Sequence, residues 1–183
     1  WVQRVAFVVM PIGLAVAIGI ASAWLDEVGP LVYLLGGWAP PLGIALRADG
    51  ASVAMLLAVA GVVCGIGLFA RADFGTPQGV AESRAAYSYW LLLLAIWGSL
   101  NLVFVSGALF TLYVALELLT FAGVPLVCLA GSGETLRAAL RYLLFALCGS
   151  VLYLLGAVLL YGGYGTLDIP MLASRVAAEP ITL

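Results

Sequence analysis

Glu117 is the residue best suited to chemistry in this sequence, because it lies in the middle of the apolar segment 108–130. An ionisable side chain at the centre of a bilayer costs roughly 2.5–3.5 kcal/mol on translocon scales, so by default it faces protein or a water-filled cavity and is a functional candidate. A protonated glutamate that only hydrogen-bonds a neighbouring helix gives the same sequence pattern. Glu117 alone therefore leaves ion transfer and structural cohesion equally open.

A polar stripe shares the helix face of Glu117. At 100° per residue, four side chains fall within about 60° of it: Ser106, Tyr113, Thr120 and Cys128. Pro125 follows on the same segment and removes the hydrogen bond to the carbonyl of Phe121, which predicts a kink just past the acid. The stripe and the kink suit a hydrated path.

Arg141 is the second charged candidate, about one turn inside the apolar segment 138–162. On position alone we expect its long side chain to snorkel to the interface, with Arg137 on the same face enforcing topology. The alternative is that its permanent charge sets the proton affinity of a buried carboxylate. For that alternative we expect the segments of Glu117 and Arg141 to pack together around a common interior, with water bridging the two side chains.

Composition identifies the solvent of this chain. Of its 183 residues, 65% are apolar and 9% are charged, against about 45–50% and about 25% in soluble domains. The chain is therefore an integral membrane protein in a lipid bilayer. It has no lysine, no histidine and no basic tract, which excludes nucleic acid as a partner.

Enzyme chemistry finds little support in the sequence. It contains no nucleophile with a base, no glycine-rich phosphate loop and no haem or iron–sulfur ligand set. The three cysteines lie in apolar runs without metal-ligand spacing and are expected to be packing residues: Cys64, Cys128 and Cys148. We expect no metal, no cofactor and no redox or hydrolytic reaction in this chain, which leaves open that it is a subunit of an ion-translocating oxidoreductase.

Five segments are long enough to cross a hydrocarbon core of about 30 Å, which needs about 20 apolar residues. They cover about 5–23, 52–70, 87–105, 108–130 and 138–162. The sequence thus predicts an all-α polytopic bundle forming one transmembrane domain over residues 1–183. The first segment also has the pattern of a secretory signal, since Arg4 precedes an apolar run ending in Ala21-Ser22-Ala23; its length and Pro11 favour a membrane span.

The connections differ in character. Residues 30–49 hold two short apolar runs separated by Ala39-Pro40-Pro41, which predicts a small β-hairpin with Trp38 at headgroup level. Ser106-Gly107 alone joins the third and fourth segments, so these must be antiparallel neighbours. Asn101, near the end of the third segment, is expected to serve close packing and interhelical hydrogen bonding rather than ligand binding.

Arginine bias predicts the orientation. One side of the membrane would carry Arg4, Arg71, Arg84 and Arg137, and the other only Arg47 and Arg175. The start of the first segment and the connections 71–86 and 131–137 are therefore expected on the cytoplasmic side, and the hairpin on the outer side. The localisation that this implies is a multi-pass protein of a bacterial-type inner membrane.

Several short motifs occur in an order and spacing that resemble a known family. They are LGGW at 35–38, ADG at 48–50, NLVFVSG at 101–107, LF at 109–110, LEL at 116–118, ALRYL at 139–143, GS at 149–150 and YGTLDI at 164–169. The pattern resembles the antiporter-like subunits shared by respiratory complex I, membrane-bound hydrogenases and multisubunit (Mrp-type) sodium/proton antiporters. The resemblance places the five segments on family helices two to six, in agreement with a cytoplasmic start, and implies a partial chain.

The resemblance also implies a mechanism. In the family, protons move through half-channels along a central row of charged residues, in which a fifth-helix glutamate pairs with a seventh-helix lysine. Glu117 matches that glutamate, and Arg141 matches a basic position, usually lysine, on the sixth helix. The sequence departs from the family in having Gly107-Ala108 where Gly-Asp is common and Thr111 in place of a related Asn. The seventh-helix lysine is not among these 183 residues.

Two functions follow from these observations. The first is a proton/cation-translocating antiporter-like subunit, or the N-terminal half of one, with Glu117, Arg141, Tyr113 and Thr120 on the ion path. The alternative is a structural or assembly subunit that keeps the scaffold without translocating ions. A quinone-site subunit has little support. Expected partners are other membrane subunits of a multisubunit complex and a companion chain or downstream segment with the central lysine; the choice between protons and sodium stays open.

Overall fold

The computed structural model describes residues 1–75 and 83–178, and within them the chain is almost wholly helical. Five helices are long and apolar enough to cross a membrane: α1 (Val2–Asp26), α2 (Gly50–Phe74), α3 (Arg84–Val105), α4 (Leu109–Val127) and α5 (Gly133–Tyr164). Two short antiparallel strands, β1 (Leu31–Leu34) and β2 (Ala45–Ala48), pair between α1 and α2. The predicted helical membrane bundle with a hairpin after its first helix is confirmed. Part of the predicted 71–86 connection, residues 76–82, lies outside the described residues.

Several helix ends differ from the prediction. The helix α5 begins at Gly133 rather than at residue 138, because Ser132 caps it: the backbone N–H of Thr135 donates to the Ser132 hydroxyl at 3.1 Å. The helix α4 ends at Val127 and is followed by a 3₁₀ turn, Cys128–Ala130. That turn closes at Gly131, whose φ of +69° is a left-handed conformation that glycine adopts without strain.

A sixth helix, α6 (Ile169–Ala178), was missed by the sequence analysis. It is too short to span a membrane, so a search for long apolar runs passes over it. Its start signals are local: the backbone N–H of Met171 donates to the carboxylate of Asp168 at 3.0 Å, and Pro170 occupies the first turn.

The main core lies between α1, α2 and α3, around the fully buried Trp90. The indole N–H of Trp90 donates to the backbone carbonyl of Phe74 at 3.1 Å, and its ring lies 5.4 Å from that of Phe7. Tyr89 stacks on Phe74 with 4.1 Å between ring centroids. These contacts fix the ends of α2 and α3 that lie beside the start of α1.

Two backbone bridges tie the helices together at the hairpin end. Leu46 of β2 pairs with Ser106 after α3, and Ala108 before α4 pairs with Asp168 before α6. Gly107 lies between these bridges, and a Cβ there would stand 2.4 Å from the carbonyl oxygen of Ala45. The short connection thus holds α3 and α4 as antiparallel neighbours, as predicted, and brings the end of α5 to the start of α4.

Gly13 sets the distance between α1 and α3, and its replacement is expected to destabilise the bundle. A Cβ at Gly13 would lie 2.3 Å from the indole ring of Trp97, whereas a Cβ at Gly19 on the same helix meets nothing within 4 Å. Gly13→Ala should therefore cost roughly 1–3 kcal/mol of stability and lower the thermal unfolding midpoint of the detergent-solubilised full-length protein. Gly19→Ala, the matched control, should leave the midpoint unchanged or raise it. Equal midpoints for the two variants would show that the Trp97 ring has room to move.

Candidate functional site

Glu117 lies half-buried near the middle of α4, on the side that packs against α5. A cavity of about 220 Å³ separates the two helices at this level. Its walls are Tyr113, Leu116, Glu117 and Thr120 from α4, and Ala146, Gly149, Ser150 and Tyr153 from α5. The carboxyl group therefore faces an interhelical space lined by four hydroxyl-bearing side chains.

The spacing of α4 places its polar residues on this cavity. Tyr113 precedes Glu117 by four residues and Thr120 follows it by three, so all three share one helix face. The Thr120 hydroxyl donates to the backbone carbonyl of Leu116 at 3.0 Å, which leaves its oxygen lone pairs available as acceptors. The structure brings these three predicted site residues together.

Two members of the predicted stripe lie elsewhere. Ser106 ends α3, where its hydroxyl donates to the carbonyl of Leu102 at 2.9 Å, and its backbone pairs with the hairpin. Cys128 belongs to the 3₁₀ turn that follows α4. The stripe was extended past both ends of α4 because a projection at 100° per residue holds only where the backbone is helical.

The wall from α5 contains residues that the sequence analysis did not select. Tyr153 donates its hydroxyl to the backbone carbonyl of Leu109 at 3.0 Å, and its ring stacks on Tyr113 with 6.1 Å between centroids. These contacts close the cavity on the side of the α4 start. Ala146 and Gly149 keep the space open, since neither has a long side chain. The i, i+3, i+4 spacing of Ala146, Gly149, Ser150 and Tyr153 was the available signal, but it shows a shared face without showing what that face meets.

Among the described residues, Glu117 carries the only carboxyl group on this cavity. Its side chain makes no hydrogen bond or ion pair with them, and no cationic side chain of theirs lines the space around it. The part of the chain that the structure describes also holds no group of three or more His, Cys, Asp or Glu side chains placed for a metal. The arrangement can bind water between hydroxyl groups and an acid, and it can accept or release a proton at Glu117.

A second, wider cavity continues along the same helix pair. It measures about 600 Å³ and shares Leu116 and Thr120 with the first. Its other walls are mainly apolar: Leu119, Gly123, Val124, Val127, Ala138, Ala139 and Tyr142. Pro125 lies within this part of α4 without ending the helix; the predicted kink stays a prediction. The α4/α5 seam is thus open from Tyr153 to Ala138.

Arg141 is placed apart from Glu117. It lies about two turns inside α5 rather than one, because α5 begins at Gly133. It is exposed and lines neither cavity. At 100° per residue it points roughly 140° away from Ala146, which faces α4. This chain therefore does not bring the two charged residues to a common interior, and a role for Arg141 in an ion path stays a prediction.

Comparison with known proteins places these features in a wider group. Residues 106–181 match the model of the family described as "NADH:quinone oxidoreductase/Mrp antiporter, TM". A protein of the probable K(+)/H(+) antiporter of Rhizobium meliloti is 35% identical over 154 residues, which cover 83% of this chain and 27% of that protein. A protein of the Na(+)/H(+) antiporter of Bacillus subtilis is 32% identical over 143 residues, covering 78% of this chain and 28% of that protein.

A solved structure extends the likeness to the fold. A chain of the Mrp complex from Dietzia sp. DQ12-45-1b matches with a TM-score of 0.79 and 24% identity, over 96% of this chain and 34% of that one. The present chain thus spans little more than a quarter of the length of the two relatives named above. The match includes both α4 and α5, the helices that enclose the Glu117 cavity.

Proposed function

Because this chain belongs to the antiporter-like membrane subunits related to NADH:quinone oxidoreductase and Mrp antiporters, we propose that it translocates protons in exchange for cations, with Glu117 on the ion path. The observation that carries the proposal is the cavity between α4 and α5, where one carboxyl group meets four hydroxyl-bearing side chains. The relatives named for K(+)/H(+) and Na(+)/H(+) antiport indicate the class of ions. Which of these ions this protein moves is left to measurement.

The residues around the cavity have distinct parts in this proposal. Glu117 takes up a proton from water in the cavity and releases it again, and hydration makes its charged form far less costly than in hydrocarbon. Thr120 and Ser150 offer hydroxyl oxygens that hold such water between the two helices. Tyr113 and Tyr153, stacked on one another, restrict water at the end near the start of α4.

A cation that pairs with Glu117 must come from outside the described residues, since none of theirs lines the cavity. We propose that a companion chain or downstream segment of the protein supplies a lysine there, which would stabilise the charged carboxylate. Arg141, exposed on another face of α5, would then act only through a further element packed on that face. Other membrane subunits of a multisubunit complex are the proposed partners.

The proposal places the protein in a bacterial-type inner membrane with the start of α1 in the cytoplasm. The cation–π contact of Arg71 over the Phe7 ring, at 5.7 Å, puts the end of α2 beside the start of α1. Arg4 lies at that same end. Their excess of positive charge over the hairpin end supports a cytoplasmic location.

Filling the cavity tests whether ions pass through it. Ser150→Leu places a larger apolar side chain against Glu117, so it should expel water and lower ion flux roughly fivefold or more. The measurement uses the complete complex, with the full-length protein, in sealed vesicles that hold a pH-sensitive dye; cation addition then collapses a preset pH gradient.

The matched control is Val151→Leu, one residue along on the exposed side of α5, which should transport normally. Subunit content must be equal in all vesicles. If Ser150→Leu transports at the wild-type rate, the ion path does not run through this cavity, and a structural or assembly role gives the better account of the chain.

A further inference from the structure

A third cavity, of about 580 Å³, lies between α1, α2, α3 and the hairpin, well away from the Glu117 site. Its helical walls are mostly aliphatic, including Ala17, Leu56 and Ala60, and strands β1 and β2 form its outer end. Val16 and Val32 line it and are each more than half exposed. Because Val16 lies within the membrane-spanning part of α1, the cavity opens sideways toward the lipid as well as toward the hairpin.

Two buried polar atoms on this cavity have no partner within the described part of the chain. They are the indole nitrogen Nε1 of Trp97 and the amide oxygen Oδ1 of Asn101. Trp97 is only 4% exposed, and both residues line the space. A buried polar group that lacks a hydrogen bond costs about 1–3 kcal/mol, so a ligand with polar atoms at this depth is favoured. The hydrogen bonding expected for Asn101 from the sequence is thus not supplied by a neighbouring described helix.

The depth of these atoms is set by α3. At 1.5 Å per residue, Asn101 lies roughly 6 Å and Trp97 roughly 12 Å from the hairpin end of the helix. Both are therefore below the membrane surface and above its midplane. Apolar wall continues beyond them along Gly13, Ala60 and Leu56.

Arg47 provides a positive charge at the hairpin end of the same cavity. It is partly buried in β2, and its side chain makes no hydrogen bond or ion pair with the described residues. Its charge does act on Asp49, whose pKa is lowered chiefly by the backbone N–H of Ser52 and in smaller part by Arg47. Tyr33, two-thirds exposed, lies beside it at the rim. The cavity thus runs from a cation at the surface, past two polar atoms, into an aliphatic interior.

We propose that this cavity binds an anionic glycerophospholipid of the adjoining leaflet. Its phosphate pairs with Arg47, and an ester carbonyl accepts the hydrogen bond of the Trp97 indole N–H. A water molecule held by the ester region donates to Asn101 Oδ1. One acyl chain fills the space between Val16, Ala60 and Leu102. Each part of the lipid then meets a matching part of the cavity in the order in which the lipid presents them.

Photocrosslinking tests this assignment. The complete complex with the full-length protein is placed in nanodiscs of phosphatidylcholine that contain a small fraction of phosphatidylglycerol carrying a diazirine on one acyl chain. After illumination, peptide mass spectrometry should find adducts on the cavity walls of α1, α2 and α3. The same diazirine on phosphatidylcholine should label these walls more weakly.

Arg47 variants identify the role of charge. Arg47→Gln should lower labelling by phosphatidylglycerol roughly fivefold and leave labelling by phosphatidylcholine unchanged, whereas Arg47→Lys should retain most of it. Equal labelling by both lipids would overturn the proposal of an anionic lipid. Absence of adducts from the walls would show that a protein segment or partner subunit occupies the cavity. Since neither readout involves ion flux, this result is independent of the function proposed for Glu117.

Discussion

Glu117→Gln is expected to lower ion flux through the assembled complex by roughly tenfold or more, because the variant loses its exchangeable proton. Glutamine keeps the size of a protonated glutamic acid and much of its hydrogen-bonding capacity. The cavity between α4 and α5 should therefore keep its shape and the complex its subunits. Flux is measured in sealed vesicles from the collapse of a preset pH gradient after cation addition, at equal subunit content.

Two further variants make the Glu117 result specific. Glu117→Asp retains an exchangeable proton on a shorter side chain and should keep part of the flux. Glu134→Gln removes an exposed acid from the first turn of α5, outside both seam cavities, and should transport normally. Alanine is a less clean replacement, since it strands any buried partner at a cost of roughly 1–3 kcal/mol. Full flux in Glu117→Gln would refute the proton-carrier role and favour a scaffold subunit.

The membrane spans could be predicted because their signal is local. A run of about 20 apolar residues has few alternatives to crossing the bilayer as a helix, and all five appear in the structure. The hairpin was equally visible, since glycine and proline interrupt its two short apolar runs. Boundaries were less accurate where a single side chain decides them, as Ser132 does for α5.

The partners of each helix face could not be predicted in the same way. Tyr113, Glu117 and Thr120 were placed together because they lie on one helix, whose period is known. Tyr153 joins them only because one face of α5 packs against α4, and that is a property of tertiary packing. The same packing leaves Arg141 exposed on another side of α5. A resemblance in sequence aligns residues with a family but does not state which faces meet.

Orientation is the second prediction with a large expected effect. The bridges Leu46 to Ser106 and Ala108 to Asp168 put the hairpin, the start of α4 and the end of α5 at one end of the bundle. The start of α1 and the start of α5 therefore lie at the other end. One label near each end fixes the sides of all five spans, and the arginine bias predicts which end is cytoplasmic.

Cysteine labelling decides between the two orientations. In a full-length protein whose Cys64, Cys128 and Cys148 are replaced by alanine, Ala39→Cys in the hairpin should react with a membrane-impermeant thiol reagent in intact cells. Glu134→Cys at the start of α5 should react roughly tenfold less. A label at Gln78 would probe the same side, although that residue lies outside the described residues.

Permeabilised cells provide the control for this experiment, because both engineered cysteines are exposed positions and should then label to the same extent. Stronger labelling of Glu134→Cys in intact cells would invert the orientation. The consequence reaches the Glu117 site directly. The stacked Tyr113 and Tyr153 lie on the hairpin side of the carboxyl group, and the wider cavity lies on the other side. With the hairpin outside, protons from the cytoplasm approach Glu117 through the wide cavity, and the tyrosine pair restricts exchange with the exterior; the inverted orientation reverses these two routes.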